Sequence, residues 1–349
     1  MNQIANRERE VFETDELAIC LSHYDLGLLH TITEFPRGSR RSPKLILDCE
    51  RGKFLFKRRA KGKDDLRKVA FTHEIQLSLA AQNFPLPHLL GTRGDNNSML
   101  VLGEHIYEMF EYIAGEGYDA SLASTLHAGH ILGLYHKLLR DFTSDYAPPT
   151  GSYHNADAIR QAIRNTVRSL PVASRPPAEE LEKTVKNLEE AYLFCAGAVN
   201  KLGLPGWETQ VVHGDWHPGN MLFRDKRVAA VIDYDAARKQ QRAIDLANGA
   251  LQFSILGGGD DPAQWVDYLD QNRFKRFLRG YDSVNVVSVA ELKAIPLLMC
   301  EAMIAEAVLP IAATGSFGRM NGFAFLQMIA RKVQWILDHT KDLGSTVTD

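Results

Sequence analysis

The sequence predicts an α+β protein in which a small antiparallel sheet carrying one helix precedes a larger, mainly helical region. Three observations lead there. Two hairpin-like pairs of short β-rich runs lie in the first third, apolar residues recur at helical spacing over most of the remainder, and a run of strands and loops rich in acidic and polar residues interrupts those helices.

From Leu45 to Lys57 the chain reads LILDCERGKFLFK, two β-rich runs joined at Glu50-Arg51-Gly52, which is a hairpin signal. Leu66 to Gln82 then reads as a helix, and a second hairpin pairs Ser98–Leu102 with Ile106–Ile113 across Gly103-Glu104-His105. After Gly115 the period changes. Leu122, Leu126, Ile131, Tyr135, Leu138 and Leu139 recur at helical spacing, as do Ile159, Ile163, Val167 and Leu170. The cleanest stripe is Leu181, Val185, Leu188, Tyr192, Cys195, Val199 and Leu202, closed by Gly203 at the expected helix end with Pro205 beyond it. The proline-rich piece Pro171–Pro177 reads as a connection between helices, and no internal repeat is visible. The division between the two regions is placed near residue 112, giving segments 1–111 and 112–349.

At 349 residues and 45% hydrophobic content the chain can bury a substantial core, in one large or two moderate domains. A net charge of -3 supplies no global basic field, so nucleic acid is not an expected partner. Cys20, Cys49, Cys195 and Cys300 lack CxxC pairing, which points to neither a disulfide framework nor a zinc site but to a reducing, cytoplasmic setting. The N-terminal MNQIANRERE has no apolar core of a secretory signal. The long apolar stretch Ala294–Thr314 contains Glu301, Glu306, Pro296 and Pro310 and is expected as a buried helix, not a membrane span. Oligomeric state is not readable.

The chemistry concentrates between Gln210 and Asp235, QVVHGDWHPGNMLFRDKRVAAVIDYD, which parses as strand, loop, strand, turn, strand. That parse brings Asp215, Asn220 and Asp233 from strand ends and a tight Pro-Gly loop into one small volume. A lone His-Gly-Asp is most simply a turn, but an HGDxHPGN loop paired with IDYD at this separation points to a site. Phosphoryl transfer needs a carboxylate to orient the attacking hydroxyl and hard oxygen ligands for Mg²⁺; Asp215 can serve as the first, Asn220 and Asp233 as the second.

His213-Gly214-Asp215, with Asn220 five positions after the aspartate, resembles the HRDxxxxN catalytic loop of kinases, and the HGDxHPGN wording is similar to the aminoglycoside phosphotransferase, choline kinase and homoserine kinase superfamily. Ile232-Asp233-Tyr234-Asp235 is similar to that superfamily's form of the kinase DFG element. The resemblance implies a bilobal protein-kinase-like fold and an ATP- and Mg²⁺-dependent transfer of the γ-phosphoryl group to a hydroxyl of a small molecule. It makes Asp215 the catalytic base and Asn220 and Asp233 the metal ligands. It further implies that Lys57, ending the FLFK strand, contacts the α- and β-phosphates and is held by Glu74 on the next helix. The stretch Tyr107–Gly115 resembles the hinge where adenine meets the carbonyl of Glu111 and the amide of Ile113. The phosphate-covering loop falls at Phe35–Ser42, where Gly38 and Ser39 would present amide and hydroxyl groups, though a single glycine departs from the usual pattern. Asp245 resembles the aspartate that braces the catalytic loop from a helix start.

Asp245 lies only twelve positions after Asp233 and no APE-like element follows, which disfavours a protein substrate and hence an atypical protein kinase. A nucleotide-binding pseudokinase of the same fold would show damage at Lys57, Asp215, Asn220 or Asp233, and all four are present. For the acceptor, an aminoglycoside, choline or ethanolamine, homoserine or similar compound, the candidate pocket residues are Glu301, Glu306, Arg273, Arg276, Arg319 and Trp265. Sequence does not order them.

Overall fold

The structure, a computed structural model, describes residues 9–172 and 175–345. The first eight residues of the charged N-terminal stretch, and residues 173 and 174 of the proline-rich connection, lie outside the described residues. Contacts divide the chain into two units. The smaller runs to Glu116 and also takes in Thr143–Pro148 and Ala229–Asp235; the larger holds the rest.

In the smaller unit the expected hairpins form, with two elements ahead of them that the sequence patterns did not reveal. The order is α1 (Thr14–Ser22), β1 (Leu29–Glu34), β2 (Lys44–Cys49), β3 (Gly52–Arg58), α2 (Leu66–Ala80), β4 (Leu100–Leu102) and β5 (His105–Glu111). The five strands make an antiparallel sheet in the order β1-β2-β3-β5-β4. Because side chains alternate across a strand, β3 sends Phe56 to one face and Lys57 to the other. Phe56 meets Leu47, Tyr107 and Met109 in the core, stacked between Phe12 and Tyr107 at centroid distances of 5.2 and 5.8 Å. On the Lys57 face the register sets Lys57 directly opposite Glu108. Helix α2 starts where Asp65 accepts hydrogen bonds from the amides of Arg67 and Lys68, and buries Val69, Phe71, His73, Ile75 and Leu79. Within this unit Val231 N–H donates to the Pro85 carbonyl, anchoring the 229–235 segment.

The larger unit is mainly helical, as the periodicity predicts: α3 (Leu122–Leu138), α4 (Asp157–Ser169), α5 (Ala178–Lys201), α6 (Arg242–Ser254), α7 (Gln271–Asp282), α8 (Val289–Thr314), α9 (Gly322–Asp338) and α10 (Thr340–Gly344). Short strands interrupt it: β6 (Thr209–Val212), β7 (Met221–Arg224), β8 (Arg227–Val231), β9 (Arg238–Gln241), β10 (Ser316–Phe317) and β11 (Met320–Asn321), with β6 paired antiparallel to β9. The first part of β8 belongs to this unit and the rest to the smaller one. Helix α5 ends where Gly203 takes φ 99°, as its sequence signal predicts. Helices α3 and α7 approach so closely that a Cβ on Gly129 would lie 2.0 Å from the Phe277 carbonyl oxygen and one on Gly280 only 1.9 Å from that of Leu126.

Helix α8 is the central beam, packed by α4, α5, α6, α9 and α10. It opens on a reciprocal capping box between Ser288 and Glu291, closes at left-handed Gly315, and carries Pro296 and Pro310 inside. It is long and apolar enough to cross a membrane by composition, but 83% of its most apolar window is buried inside the protein, in agreement with the core helix expected there. All four cysteines are free and buried.

Candidate active site

The loop from His213 to Asn220 leaves β6 and enters β7, and its path is fixed from beneath by Asp245 in the first turn of α6. The Asp245 carboxylate, 1% exposed, accepts hydrogen bonds from the His213 and Gly214 amides at 3.0 Å each and meets His136 Nε2 at 3.1 Å. His136 in turn meets the Tyr281 hydroxyl through Nδ1 at 2.9 Å, so α3, α6 and α7 all contribute to one brace. The bracing expected of Asp245 is therefore present. Gly214 has φ 76°, and a Cβ there would stand 2.4 Å from the Ala236 carbonyl oxygen; the tight turn needs glycine on both counts. Trp216 packs down, fully buried, with its ring 5.4 Å from that of His213 and 6.1 Å from that of Tyr135, which leaves Asp215 turned outward.

Asp215 is about half exposed, at 47%. Asn220 Nδ2 donates to both its carbonyl and its Oδ2 at 3.0 Å. His217 Nδ1 accepts from the Gly219 amide at 3.0 Å, which assigns the neutral ring's proton to Nε2, 3.5 Å from Asp215 Oδ2. Burial pushes the Asp215 carboxyl up, but His217, His213 and Asn220 together hold it below its ordinary value, so at neutral pH it is an ionised acceptor facing solvent.

In the smaller unit, Asp233 adopts φ 63°, a left-handed backbone that non-glycine residues rarely take and that concentrates at functional sites. Its charge acts on Lys44, whose ammonium is held below its usual value chiefly by burial and then by Lys57. Gly38, at φ 83°, and Ser39 lie in the turn between β1 and β2, where the Ser42 amide donates to the Ser39 carbonyl and the Arg41 amide to Ser39 Oγ. Glu111 closes β5, with its amide bonded to His88 O and that of Tyr112 to Lys53 O, and Ile113 follows. One expected pairing is corrected. Lys57 Nζ stands 3.2 Å from Glu108 Oε2, whereas Glu74 accepts a hydrogen bond from Ser144 Oγ. The register of β3 against β5 puts Glu108 across from Lys57, and Glu74 on α2 has another partner.

The donors assigned to a metal fit a hard divalent cation. Because Asn220 commits its Nδ2 to Asp215, its Oδ1 is the side-chain atom left to ligand a cation. Asp233 adds a carboxylate. Each by itself, the amide oxygen in the larger unit and the carboxylate in the smaller one, is a hard donor of the kind that suits a small divalent cation and not a thiophilic metal.

Among the candidate acceptor residues, Glu306 stands apart. It lies on α8, keeps exposed surface, and takes a two-oxygen hydrogen bond from Gln252 Nε2 of α6 at 2.9 and 2.8 Å. Burial pushes its carboxyl up to about 7; Gln252 opposes the shift, and the negative Asp215 adds to it. Glu306 thus presents an exposed carboxyl on α8 whose charge is coupled to that of Asp215. Glu301 is different: it is fully buried and taken by His154 Nδ1 at 2.9 Å. Arg273 is held by Asp270 at 2.9 Å, and Trp265 packs on Phe325. The sequence holds Glu306 among several equal candidates, and nothing in it singles out Glu108, His136 or Gln252.

Known proteins similar to this chain identify its family. The profile of the phosphotransferase enzyme family (APH) matches residues 31–285. A homoserine kinase of Rhodospirillum rubrum is 24% identical over 294 residues, 81% of each chain. Among solved structures, a microcompartment-associated aminopropanol kinase superposes with a TM-score of 0.70 at 12% identity, covering 96% of this chain and 100% of that one. The amicoumacin kinase hAmiN, in complex with AMP-PNP, Ca²⁺ and Ami, superposes with a TM-score of 0.65 at 12% identity, covering 94% of each. With a family match spanning most of its length and a protein-kinase-like fold, the chain belongs to the phosphotransferase enzyme family and is a small-molecule phosphotransferase.

Proposed function

We propose that this enzyme transfers the γ-phosphoryl group of MgATP to a hydroxyl of a small acceptor that also carries an amino group. The observation that carries the reading is the His213–Asn220 loop, which presents an ionised, half-exposed Asp215 on a backbone clamped by Asp245.

Asp215 accepts a hydrogen bond from the attacking hydroxyl and aims its oxygen at the γ-phosphorus. A carboxylate held below its ordinary value is a weak base, so orientation comes first and the proton crosses to Asp215 only as the new P–O bond forms and the bond to ADP breaks. Asn220 Oδ1 and the Asp233 carboxylate would hold Mg²⁺, which when bound neutralises charge on the phosphate oxygens. Lys57 contacts the α- and β-phosphates, Gly38 and Ser39 cover the phosphates from the β1–β2 turn, and the Glu111 carbonyl and Ile113 amide meet the adenine edge.

The amino group follows from Glu306. A carboxyl raised to about 7 beside another carboxylate gains most from a cation, and an acceptor ammonium would supply one. Homoserine and aminopropanol, named in the two kinases above, are both amino alcohols. The test is ADP release from MgATP with homoserine, ethanolamine, choline and aminoglycosides, beside alcohols of equal size lacking nitrogen. Stimulation confined to amino alcohols is expected; equal stimulation by the nitrogen-free set would overturn the acceptor class.

A further inference from the structure

We infer that Glu108, a residue of strand β5, is the positioning residue for Lys57, and that through Arg59 the same carboxylate fixes the Asp235 end of the Ile232–Asp235 turn. This rests on the reading of Lys57 as the phosphate-binding cation. Glu108 is 1% exposed and is met by three groups: Lys57 Nζ at 3.2 Å on Oε2, and Arg59 Nη1 at 2.6 Å and His73 Nε2 at 2.8 Å on Oε1. Arg59, itself 6% exposed, gives its other terminal nitrogen to Asp235 Oδ1 and its Nε to the Lys63 carbonyl at 2.6 Å. Lys63 Nζ stands 3.5 Å from the second Asp235 oxygen. The arginine thus forks between two carboxylates, one beside the phosphate-binding lysine and one two residues after Asp233.

A buried carboxylate is costly unless cations and donors surround it, and here they do. Burial pushes Glu108 up; Lys57, His73 and Arg59 outweigh it and hold it well below the ordinary carboxylate range.

The strand location has a consequence for control. A carboxylate on a helix keeps its lysine only while that helix is docked. Lys57 and Glu108 are instead cross-strand neighbours in the β3–β5 ladder, so backbone hydrogen bonds fix their separation. Helix α2 contributes His73, whose Nδ1 is 2.8 Å from Ser98 Oγ, and supports the pair without supplying it. Its Glu74 is engaged by Ser144. The lysine of this enzyme is therefore preset by the sheet and does not wait on a movement of α2.

The experiment compares Glu108→Gln, Glu108→Asp and Glu74→Gln in the full-length protein. It uses calorimetric titration with MgAMP-PNP, the KM for ATP and kcat on a responding acceptor, and circular dichroism to verify folding. Glu108→Gln should weaken MgAMP-PNP at least tenfold and raise the KM for ATP, Glu108→Asp should recover part of the loss, and Glu74→Gln should stay within twofold of wild type. A Glu74→Gln loss equal to that of Glu108→Gln, or a Glu108→Gln protein within twofold of wild type, overturns the assignment. If Glu108→Gln fails to fold, Glu108→Asp decides, since it keeps the charge for Arg59 but shortens the reach to Lys57; wild-type affinity there overturns it. A readout independent of nucleotide separates this inference from the proposed function. Acetic anhydride should label Lys57, followed by peptide mass spectrometry, several-fold faster in the Glu108 variants than in wild type or Glu74→Gln. Failure of wild type to bind MgAMP-PNP would sink the nucleotide reading alone, while unchanged labelling would sink the pairing alone.

Discussion

Glu306, proposed to meet the acceptor, also bears on stability. Its folded-state value of about 7 lies above the ordinary 4.5, so the folded protein holds this proton more tightly than the unfolded chain does. Stability from that proton is complete below about pH 4.5, declines as pH rises, and is gone above about pH 7. Glu306→Gln should therefore match wild type in melting temperature near pH 4.5 and exceed it at pH 8, by a margin that solvent exposure keeps modest. The same variant should raise the acceptor KM at least tenfold with little change in that for ATP, because a neutral amide cannot replace the charged partner of an ammonium. A melting difference independent of pH, or an unchanged acceptor KM, would contradict this. At this scale the sequence displays the His213–Asn220 and Ile232–Asp235 motifs, and with them Asp215, Asn220 and Asp233 as candidates, because each motif packs polar residues into a short run. It was silent on Glu108, whose place beside Lys57 depends on strand pairing across some fifty residues. Nor could it separate Glu306 from Glu301, since which side of α8 is exposed beside Gln252 and which meets His154 is decided by helix packing.

Among the elements, the His213–Asn220 loop depends on a turn that only glycine fits. Gly214→Ala would add the strain of a left-handed alanine, of order 1 kcal/mol, to a clash with a backbone carbonyl 2.4 Å away that cannot swing aside. The loop must shift. Turnover should fall at least a hundredfold while MgATP affinity, carried mainly by other elements, changes only a few-fold; steady-state kinetics with nucleotide titration checks this, and near-normal turnover would show the turn to be tolerant. Helix α8 makes a contrasting prediction. Ile304 is fully buried in it, so Ile304→Ala should cost about 2–5 kcal/mol in urea unfolding with little effect on kcat in the protein that remains folded. The elements legible in advance were those with strong periodicity or clear punctuation, such as α5 with Gly203 at its end. Helix α1 buries only Cys20, and β1 shows five exposed residues in six, so neither carries an inside–outside pattern to be read. Strand β9 pairs with β6 although its sequence, RKQQ, is entirely polar.

For the whole molecule, the sequence and the structure agree on class: a small antiparallel sheet with helix α2, joined in the structure by α1 and β1, then a larger helical unit. The order of strands, and the return of residues 143–148 and 229–235 to the smaller unit, were beyond sequence because both depend on contacts between distant segments. The central claim is that Asp215 works on the acceptor hydroxyl and not on fold or nucleotide. The most direct measurement is phosphoryl transfer to a responding amino alcohol by wild type and Asp215→Asn, with MgAMP-PNP affinity measured on the same samples. The amide keeps the shape of the carboxylate and removes the proton acceptor, so turnover should drop by about 10²–10⁴ while the affinity stays within a few-fold. Turnover close to wild type with intact nucleotide binding would remove Asp215 from the role given to it here.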